Sequence, residues 1–180
     1  MNSLDVIEEI LDYNNVSSPN FRVRAYKKIQ EKSYDEDSNQ NLHDMDPISL
    51  QNLLKESNDK DIAIDTQWAT GYIPVLDLDS VIVDTDKLLE VMGWTESTVC
   101  YVMESSPGKR HLYFNGIDRG KRKLFDKLYP GRWFKDNTGI VDQVWTDIFL
   151  KDETNGGFIR IGGERPPPKL LFKIHTKLYV

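Results

Sequence analysis

The chain has 180 residues, of which 39% are hydrophobic and 11% aromatic, and its net charge is −6. This length predicts one domain, or one domain with a small appendage, and the apolar content argues against global disorder. A negatively charged chain does not hold duplex DNA by bulk charge, so any contact with nucleic acid requires a local basic patch.

The first elements alternate between helix and strand. Apolar residues at helical spacing after a possible Ser3 cap predict a helix over 4–13. Residues 21–26 alternate between apolar and basic or aromatic side chains, which predicts a strand with a basic face. The polar, acidic stretch 31–46 is interpreted as a loop. Asp46 before a proline predicts the start of a second helix.

Strands and helices continue to interleave along the rest of the chain. Further strands are predicted around 62–64 and over 72–78, 98–104, 110–115, 139–145, 158–161 and 170–174, and further helices over 84–93 and 119–129. This order predicts an α+β (α/β mixed) fold with at least one hairpin. Residues 1–60 are expected to pack as an extension on a core over 61–180, in one compact domain.

A single cysteine, Cys100, stands among apolar residues and is predicted to be a small core residue. One cysteine excludes a disulfide framework and predicts a cytoplasmic, intracellular protein. No apolar run approaches the ~20 residues that a membrane span needs, so no membrane partner is expected.

An apolar strand that runs into two carboxylates, Asp77 and Asp79, is the first candidate for chemistry. Residues i and i+2 of a strand point to the same face, so these side chains are neighbours there. Adjacent anions repel each other unless a cation lies between them, and oxygen ligands suit Mg²⁺ or Mn²⁺. The alternative is that the aspartates only form a turn or cap a helix.

The second candidate is the turn over 105–109, which leads into a strand that carries His111. A Ser/Gly turn can aim N–H groups and hydroxyls at an anion, and Lys109 adds a positive charge. His111 is expected to share a strand face with Tyr113 and to donate to a phosphate oxygen. The alternative is an ordinary hairpin with a polar tip and a half-exposed histidine.

The third candidate is Asp142, a carboxylate inside an otherwise apolar predicted strand. A charge in such a place is costly unless it is paired or binds a metal ion. Asp147 competes with it but is more typical of a loop aspartate.

In this order the motifs resemble those of the archaeo-eukaryotic primase superfamily, which includes primase small subunits and primase-polymerases. That superfamily carries an Asp-x-Asp/Glu pair, a small-x-His motif and an apolar residue followed by Asp. The matching residues are Asp77 and Asp79, His111, and Asp142. An arginine-bearing strand often follows, and Arg160 fits it. The resemblance covers roughly residues 62–170.

The resemblance implies a central mixed, largely antiparallel sheet of RRM-like type flanked by helices. It implies a DNA primase or primase-polymerase, a template-dependent nucleotidyltransferase that uses two Mg²⁺ or Mn²⁺ ions. The implied metal ligands and catalytic residues are Asp77, Asp79 and Asp142. The implied nucleotide-binding residues are Ser106, Lys109, His111 and Arg160, with His111 at the triphosphate.

The chain departs from the superfamily pattern in two ways. Lys109 stands at the small position of the second motif, which leaves open the group that contacts the triphosphate. No Cys/His cluster is present for a zinc-binding domain. The expected partners are a single-stranded DNA template, an NTP or dNTP, and a helicase or other replication subunit. The resemblance also suggests a virus or mobile element as the setting.

A basic segment over 107–136 holds nine basic and three acidic residues, a net +6 within a chain of net −6. Such asymmetry predicts a local track for nucleic acid, in which interleaved aromatic residues stack on unpaired bases. The residues expected to contact the template are Arg119, Lys121, Arg122, Lys123, Arg132 and Trp133. The alternative is a solvated helix face whose aromatic residues lie in the core.

Three other functions remain open from the sequence. A metal-dependent nuclease also uses acidic clusters with a nearby lysine, and Glu104 with Lys109 fits such a site. A non-catalytic primase-like module would recruit partners through the acidic segment 31–46. A glycosyltransferase can use Asp-x-Asp to hold the metal ion of a sugar nucleotide, but the histidine hairpin and the Arg160 strand disfavour it.

Overall fold

The computed structural model describes residues 1–30, 33–34, 42–66, 75–78, 98–115, 148–151 and 157–175. These residues form a mixed α+β structure, as the sequence predicts. The chain divides into two compact units. The first comprises Met1–Ile73 and Asp152–Lys169, and the second comprises Pro74–Lys151 and Leu170–Val180.

The described elements follow one another in this order: α1 (Ser3–Tyr13), β1 (Phe21–Tyr26), β2 (Lys28–Gln30), β3 (Ser33–Tyr34), β4 (His43–Met45), α2 (Pro47–Glu56), β5 (Asp61–Asp65), β6 (Val75–Leu78), β7 (Val99–Ser106), β8 (Lys109–Asn115), β9 (Ile148–Lys151), β10 (Phe158–Gly163) and β11 (Lys169–His175). None of the helices found in the described part of the chain has the length and apolar character needed to cross a membrane.

Helix α1 begins with a capping box. The Asn2 side chain accepts from the backbone N–H of Asp5 at 3.0 Å, and the Asp5 carboxylate accepts from the backbone N–H of Asn2 at 2.9 Å. The cap is therefore Asn2, whereas Ser3, the cap expected from the sequence, is the first helical residue. Leu4, Ile7 and the other inward apolar residues of α1 are buried, which explains why the helical pattern holds.

The first unit contains a four-stranded sheet in the order β10-β5-β1-β4, in which every neighbouring pair is antiparallel. Val23, Ile64 and Ile159 lie opposite one another across β1, β5 and β10, and all three are buried. The next positions along these strands turn to the other face and include Arg24 and Arg160. The prediction of a strand with a basic face is therefore confirmed for β1.

Two expectations for this half of the chain differ from the structure. The stretch 31–46 is not wholly a loop, because it contains β3 and β4, and β4 extends the sheet by pairing with β1. The expected division at residues 60 and 61 also falls just before β5, which pairs with β1 and β10 in one sheet. The N-terminal segment thus shares a sheet with strands from the expected core, and the units divide elsewhere.

The second unit contains a five-stranded sheet in the order β11-β7-β8-β6-β9. The pairs β7–β8, β6–β8 and β6–β9 are antiparallel, in keeping with the predicted sheet type. The strands predicted over 72–78, 98–104, 110–115 and 170–174 are present as β6, β7, β8 and β11, while β9 was not predicted. The described strands thus form two main sheets rather than one central sheet, and the RRM-like arrangement stays a prediction.

A two-residue turn joins β7 to β8. Pro107 precedes Gly108, whose φ of 81° is the left-handed value that the third position of a type II turn requires. Apolar residues on both faces of the two strands are buried, among them Val102 and Met103 on β7 and Leu112 on β8. Cys100 is fully buried, as expected, and this burial raises the pKa of its thiol.

Candidate functional site

Strands β6 and β8 bring residues from the first two motifs together. The register of their pairing sets Asp77 directly opposite His111, between the pairs formed by Leu76 with Leu112 and by Leu78 with Arg110. Residues directly opposite each other in an antiparallel pair project to the same face. Asp77 and His111 therefore occupy neighbouring positions on one face of the five-stranded sheet.

The two side chains are in polar contact. Nε2 of His111 lies 3.4 Å from Oδ1 of Asp77. This distance is longer than the 2.7–3.2 Å typical of an N–H···O hydrogen bond, so the contact is a long one. The His111 side chain is only 8% exposed and the Asp77 side chain is 19% exposed. The imidazole is thus enclosed in the protein, and the carboxylate retains access to solvent.

On β7, the neighbour of His111 is an apolar residue. Met103 on β7 lies directly opposite His111 and is fully buried. Nδ1 of His111 is buried and has no hydrogen-bond partner among the residues that the structure describes. In a neutral imidazole one nitrogen donates and the other accepts. These surroundings favour the tautomer that carries its proton on Nε2, toward Asp77.

The turn next to this pair carries two further predicted residues. Lys109 is exposed and stands two positions before His111, on the same face of β8 and about 7 Å away along the strand. Ser106 is the cross-strand partner of Lys109 and is half-buried. The structure therefore groups four predicted residues, with a carboxylate, an imidazole, an ammonium and a hydroxyl group, at one end of β6, β7 and β8.

Several predicted site residues lie outside the residues that the structure describes. They are Asp79, Asp142, Arg119, Lys121, Arg122, Lys123, Arg132 and Trp133. The shared face of Asp77 and Asp79, and the proposed track for nucleic acid, therefore stay predictions. Within the described ranges no group of three His, Cys, Asp or Glu side chains comes together. Of the three predicted metal ligands, Asp77 alone lies within the described ranges. Its partly exposed carboxylate is of the type that Mg²⁺ and Mn²⁺ prefer.

Arg160 belongs to the first unit, where it lies on β10. Its side chain is buried, and Nη1 donates a 2.6 Å hydrogen bond to the carbonyl oxygen of Pro166. This bond ties the strand to the proline-rich segment that follows it. In this structure Arg160 therefore has a packing role, and its expected contact with phosphate stays a prediction.

Glu104 is the carboxylate that a nuclease site with Lys109 would use. Glu104 pairs with Arg110, the neighbour of His111 on β8. Because successive residues of a strand alternate between faces, Glu104 lies on the face opposite Asp77 and His111, and Lys109 lies on theirs. The strand register thus separates Glu104 from the proposed site.

The contact between Asp77 and His111 was not predicted from the sequence. The turn at Pro107 and Gly108 fixes how β7 pairs with β8, but it carries no information about the pairing of β6 with β8. No local signal gives that register, since the two strands are separated by a long stretch of chain. No protein-family model, curated protein or solved structure matches the chain.

Proposed function

We propose that the chain is a template-dependent nucleotidyltransferase of the primase-polymerase type, which uses two Mg²⁺ or Mn²⁺ ions. The observation that carries this proposal is the direct pairing of Asp77 with His111 across β6 and β8. The two residues come from separate motifs of the proposed family. Their neighbouring positions on one sheet face support a common site.

Each group in this cluster has a proposed task. Asp77 supplies a carboxylate to the metal ions, and Asp79 and Asp142 complete the set of ligands. Two bound ions activate the attacking 3′-hydroxyl and stabilise the pyrophosphate leaving group. Lys109 attracts the triphosphate as an exposed point charge, and the hydroxyl of Ser106 donates to a phosphate oxygen.

The proposed substrates are an NTP or dNTP and a single-stranded DNA template. The net charge of +6 over residues 107–136 supports a template track close in sequence to the histidine hairpin. A helicase or another replication subunit is the proposed partner, and a virus or mobile element is the proposed setting.

The test is nucleotide incorporation on a primed single-stranded template with Mg²⁺ or Mn²⁺. The Asp77→Ala variant is expected to lose at least about 100-fold in kcat, because metal-bound charge stabilises the transition state more than the bound substrate. The matched control is Asp59→Asn, which removes one negative charge from an exposed position. Full activity of a folded Asp77→Ala variant would remove Asp77 from the reaction.

The same assay separates polymerase from nuclease activity. With a labelled primer, dNTPs and metal ions, the proposed activity lengthens the strand, whereas hydrolysis of phosphodiesters shortens it. Glu104 lies on the face opposite Lys109, so a nuclease site around Lys109 would depend on Asp77 for its carboxylate. Strand shortening that depends on Asp77 would replace the proposal with the nuclease function.

A further inference from the structure

We infer that His111 is a positioning residue, whose imidazole holds the Asp77 carboxylate in the orientation needed for metal binding. This inference rests on the proposed function and gives His111 a role different from the triphosphate contact that the family resemblance implies. It is carried by the burial of the imidazole, by the 3.4 Å separation between its Nε2 and Oδ1 of Asp77, and by the register that sets the two residues directly opposite each other.

The burial of His111 distinguishes a residue that positions Asp77 from one that contacts the triphosphate. A group that grips a triphosphate must present an N–H to phosphate oxygens that arrive from solvent. The His111 side chain is 8% exposed, and its Nε2 lies 3.4 Å from Asp77 Oδ1. The neighbouring Lys109 is exposed on the same face and is better placed to meet an incoming anion. Within the described part of the chain, the Asp77 carboxylate is thus the polar group found next to the imidazole.

The two residues also differ in exposure, because the buried His111 lies behind the partly exposed carboxylate of Asp77. Burying an imidazole costs free energy unless its polar atoms find partners, and Asp77 provides one for Nε2. Nδ1 has no hydrogen-bond partner among the described residues, so within them the polar contact of the imidazole is made through Nε2. Groups that hold a metal ligand from behind fix its orientation and raise metal affinity.

Both residues stand on strands whose positions are fixed from two sides. Asp77 is paired with β8 and with β9, and His111 is paired with β6 and with β7. Met103, directly opposite His111 on β7, is fully buried. A ligand supported in this way is held more precisely than one on a loop. The pair is therefore suited to preorganise the carboxylate before the metal arrives.

The test measures Mn²⁺ binding directly, by the electron paramagnetic resonance signal of free Mn²⁺ at fixed pH, without any need for activity. His111→Leu removes the donor and fills a similar volume. His111→Asn keeps an amide that is too short to reach Asp77, and His111→Gln carries its amide nitrogen about as far as Nε2. The matched control is Tyr113→Phe, a fully buried position on the same face of β8.

We expect His111→Leu and His111→Asn to weaken Mn²⁺ binding by about 10–100-fold, while His111→Gln and Tyr113→Phe stay close to the wild type. If the leucine variant does not fold, the asparagine and glutamine variants carry the comparison. In the incorporation assay, excess Mn²⁺ should restore much of the kcat of His111→Asn, with KM for the nucleotide little changed.

Two results would overturn the inference. One is unchanged Mn²⁺ binding by His111→Asn, and the other is a higher KM for the nucleotide at saturating Mn²⁺, which indicates a direct contact with the triphosphate. Failure of the proposed function looks different. In that case the wild type does not bind Mn²⁺, or Asp77→Ala binds it as the wild type does. Loss of binding in Asp77→Ala with normal binding in the His111 variants rejects the positioning role alone.

Discussion

At Gly163 the backbone leaves no space for a side chain. Its φ is +112°, and a Cβ atom there would lie 2.3 Å from the carbonyl oxygen of Lys60 and 2.6 Å from Cα of Asp61. The left-handed conformation and the clash with backbone each cost free energy. Gly163→Ala is therefore expected to lower the free energy of unfolding by about 2–5 kcal/mol. Urea denaturation followed by circular dichroism measures this change.

The adjacent Gly162 gives a matched control on the same strand. A Cβ atom there would lie 2.9 Å from Cδ2 of Leu54, the far end of a flexible side chain that is able to move. Gly162→Ala is therefore expected to cost less than about 1.5 kcal/mol. Equal losses in the two variants would contradict the argument from backbone geometry.

Asp61 is a buried carboxylate that depends on Arg165. Oδ2 of Asp61 lies 2.7 Å from both Nε and Nη2 of Arg165, and Oδ1 accepts from the backbone N–H of the same residue at 3.1 Å. Burial of the guanidinium opposes its charge. The hydrogen bond and the negative charge of Asp61 outweigh this effect and raise the pKa of Arg165. The pair fastens the segment after β10 to the start of β5.

Removal of the guanidinium leaves the Asp61 carboxylate, 4% exposed, without its cation. Loss of one partner of a fully buried pair costs about 3–5 kcal/mol, and because Arg165 is 42% exposed we expect about 1–3 kcal/mol for Arg165→Met. Arg22→Met is the control, since Arg22 is equally exposed but lies 3.9 Å from Asp65. A smaller loss from Arg165→Met than from Arg22→Met in thermal unfolding would reject this explanation.

Helix α2 begins at an aspartate cap whose contribution depends on pH. The Asp46 carboxylate accepts from the backbone N–H of Ser49 at 2.9 Å and from its hydroxyl at 3.0 Å. The backbone hydrogen bond from Ser49, followed by the hydroxyl contact, lowers the pKa of Asp46. The folded state thus favours the ionised form. The stabilisation is present above the ordinary pKa of about 3.9 and is lost as pH falls through the lowered value.

Two substitutions at this cap separate charge from hydrogen bonding. Asp46→Ala is expected to destabilise the protein at pH 7, and Asp46→Asn is expected to stay close to the wild type because asparagine also caps helices. As the pH falls below about 3.9, the difference between the wild type and Asp46→Ala should shrink. Melting temperatures from pH 2 to 7 measure both effects. A constant difference across this range would show that the carboxylate charge contributes nothing.

The sequence predicts most of the described elements because each carries local signals. The start of α2 follows from Asp46 before proline, and the hairpin of β7 and β8 follows from alternation around the turn at Pro107. The strand β9 was missed because its apolar run, Ile148 to Leu150, is only three residues long and shows no alternation. The contact of Asp77 with His111 depends on the register of β6 against β8, which is set by packing over the whole sheet. Local patterns therefore predict elements better than they predict the site.

At the scale of the whole molecule, the division into units could not be predicted from the order of elements. Strands β5 and β10 are distant in the chain from each other, yet they pair in the same sheet as β1. The apolar alternation of β5 and β10 shows that each has a face to bury, but not which sheet buries it. Only the full set of pairings assigns β5 and β10 to the sheet of the N-terminal strands.

The distribution of charge is also a property of the whole molecule, and it leads to a test of template binding. The chain is negative, but residues 107–136 carry a net +6, so contact with single-stranded DNA should depend on that segment. Simultaneous replacement of Lys121, Arg122 and Lys123 by serine is expected to weaken binding. The slope of log K against log salt should fall by up to about 2, since each lost phosphate contact on a single strand contributes about 0.7.

A charge-matched variant distinguishes a local track from the effect of net charge. Serine at Lys27, Lys28 and Lys55, which are exposed residues of the first unit, removes the same three positive charges. Fluorescence anisotropy with a labelled single strand at several salt concentrations compares the two triple variants. If binding depends only on net charge, both variants weaken it equally and both reduce the salt slope. A selective loss in the first variant indicates that phosphates contact the segment itself, because an effect of net charge alone is the same for any three positive charges removed.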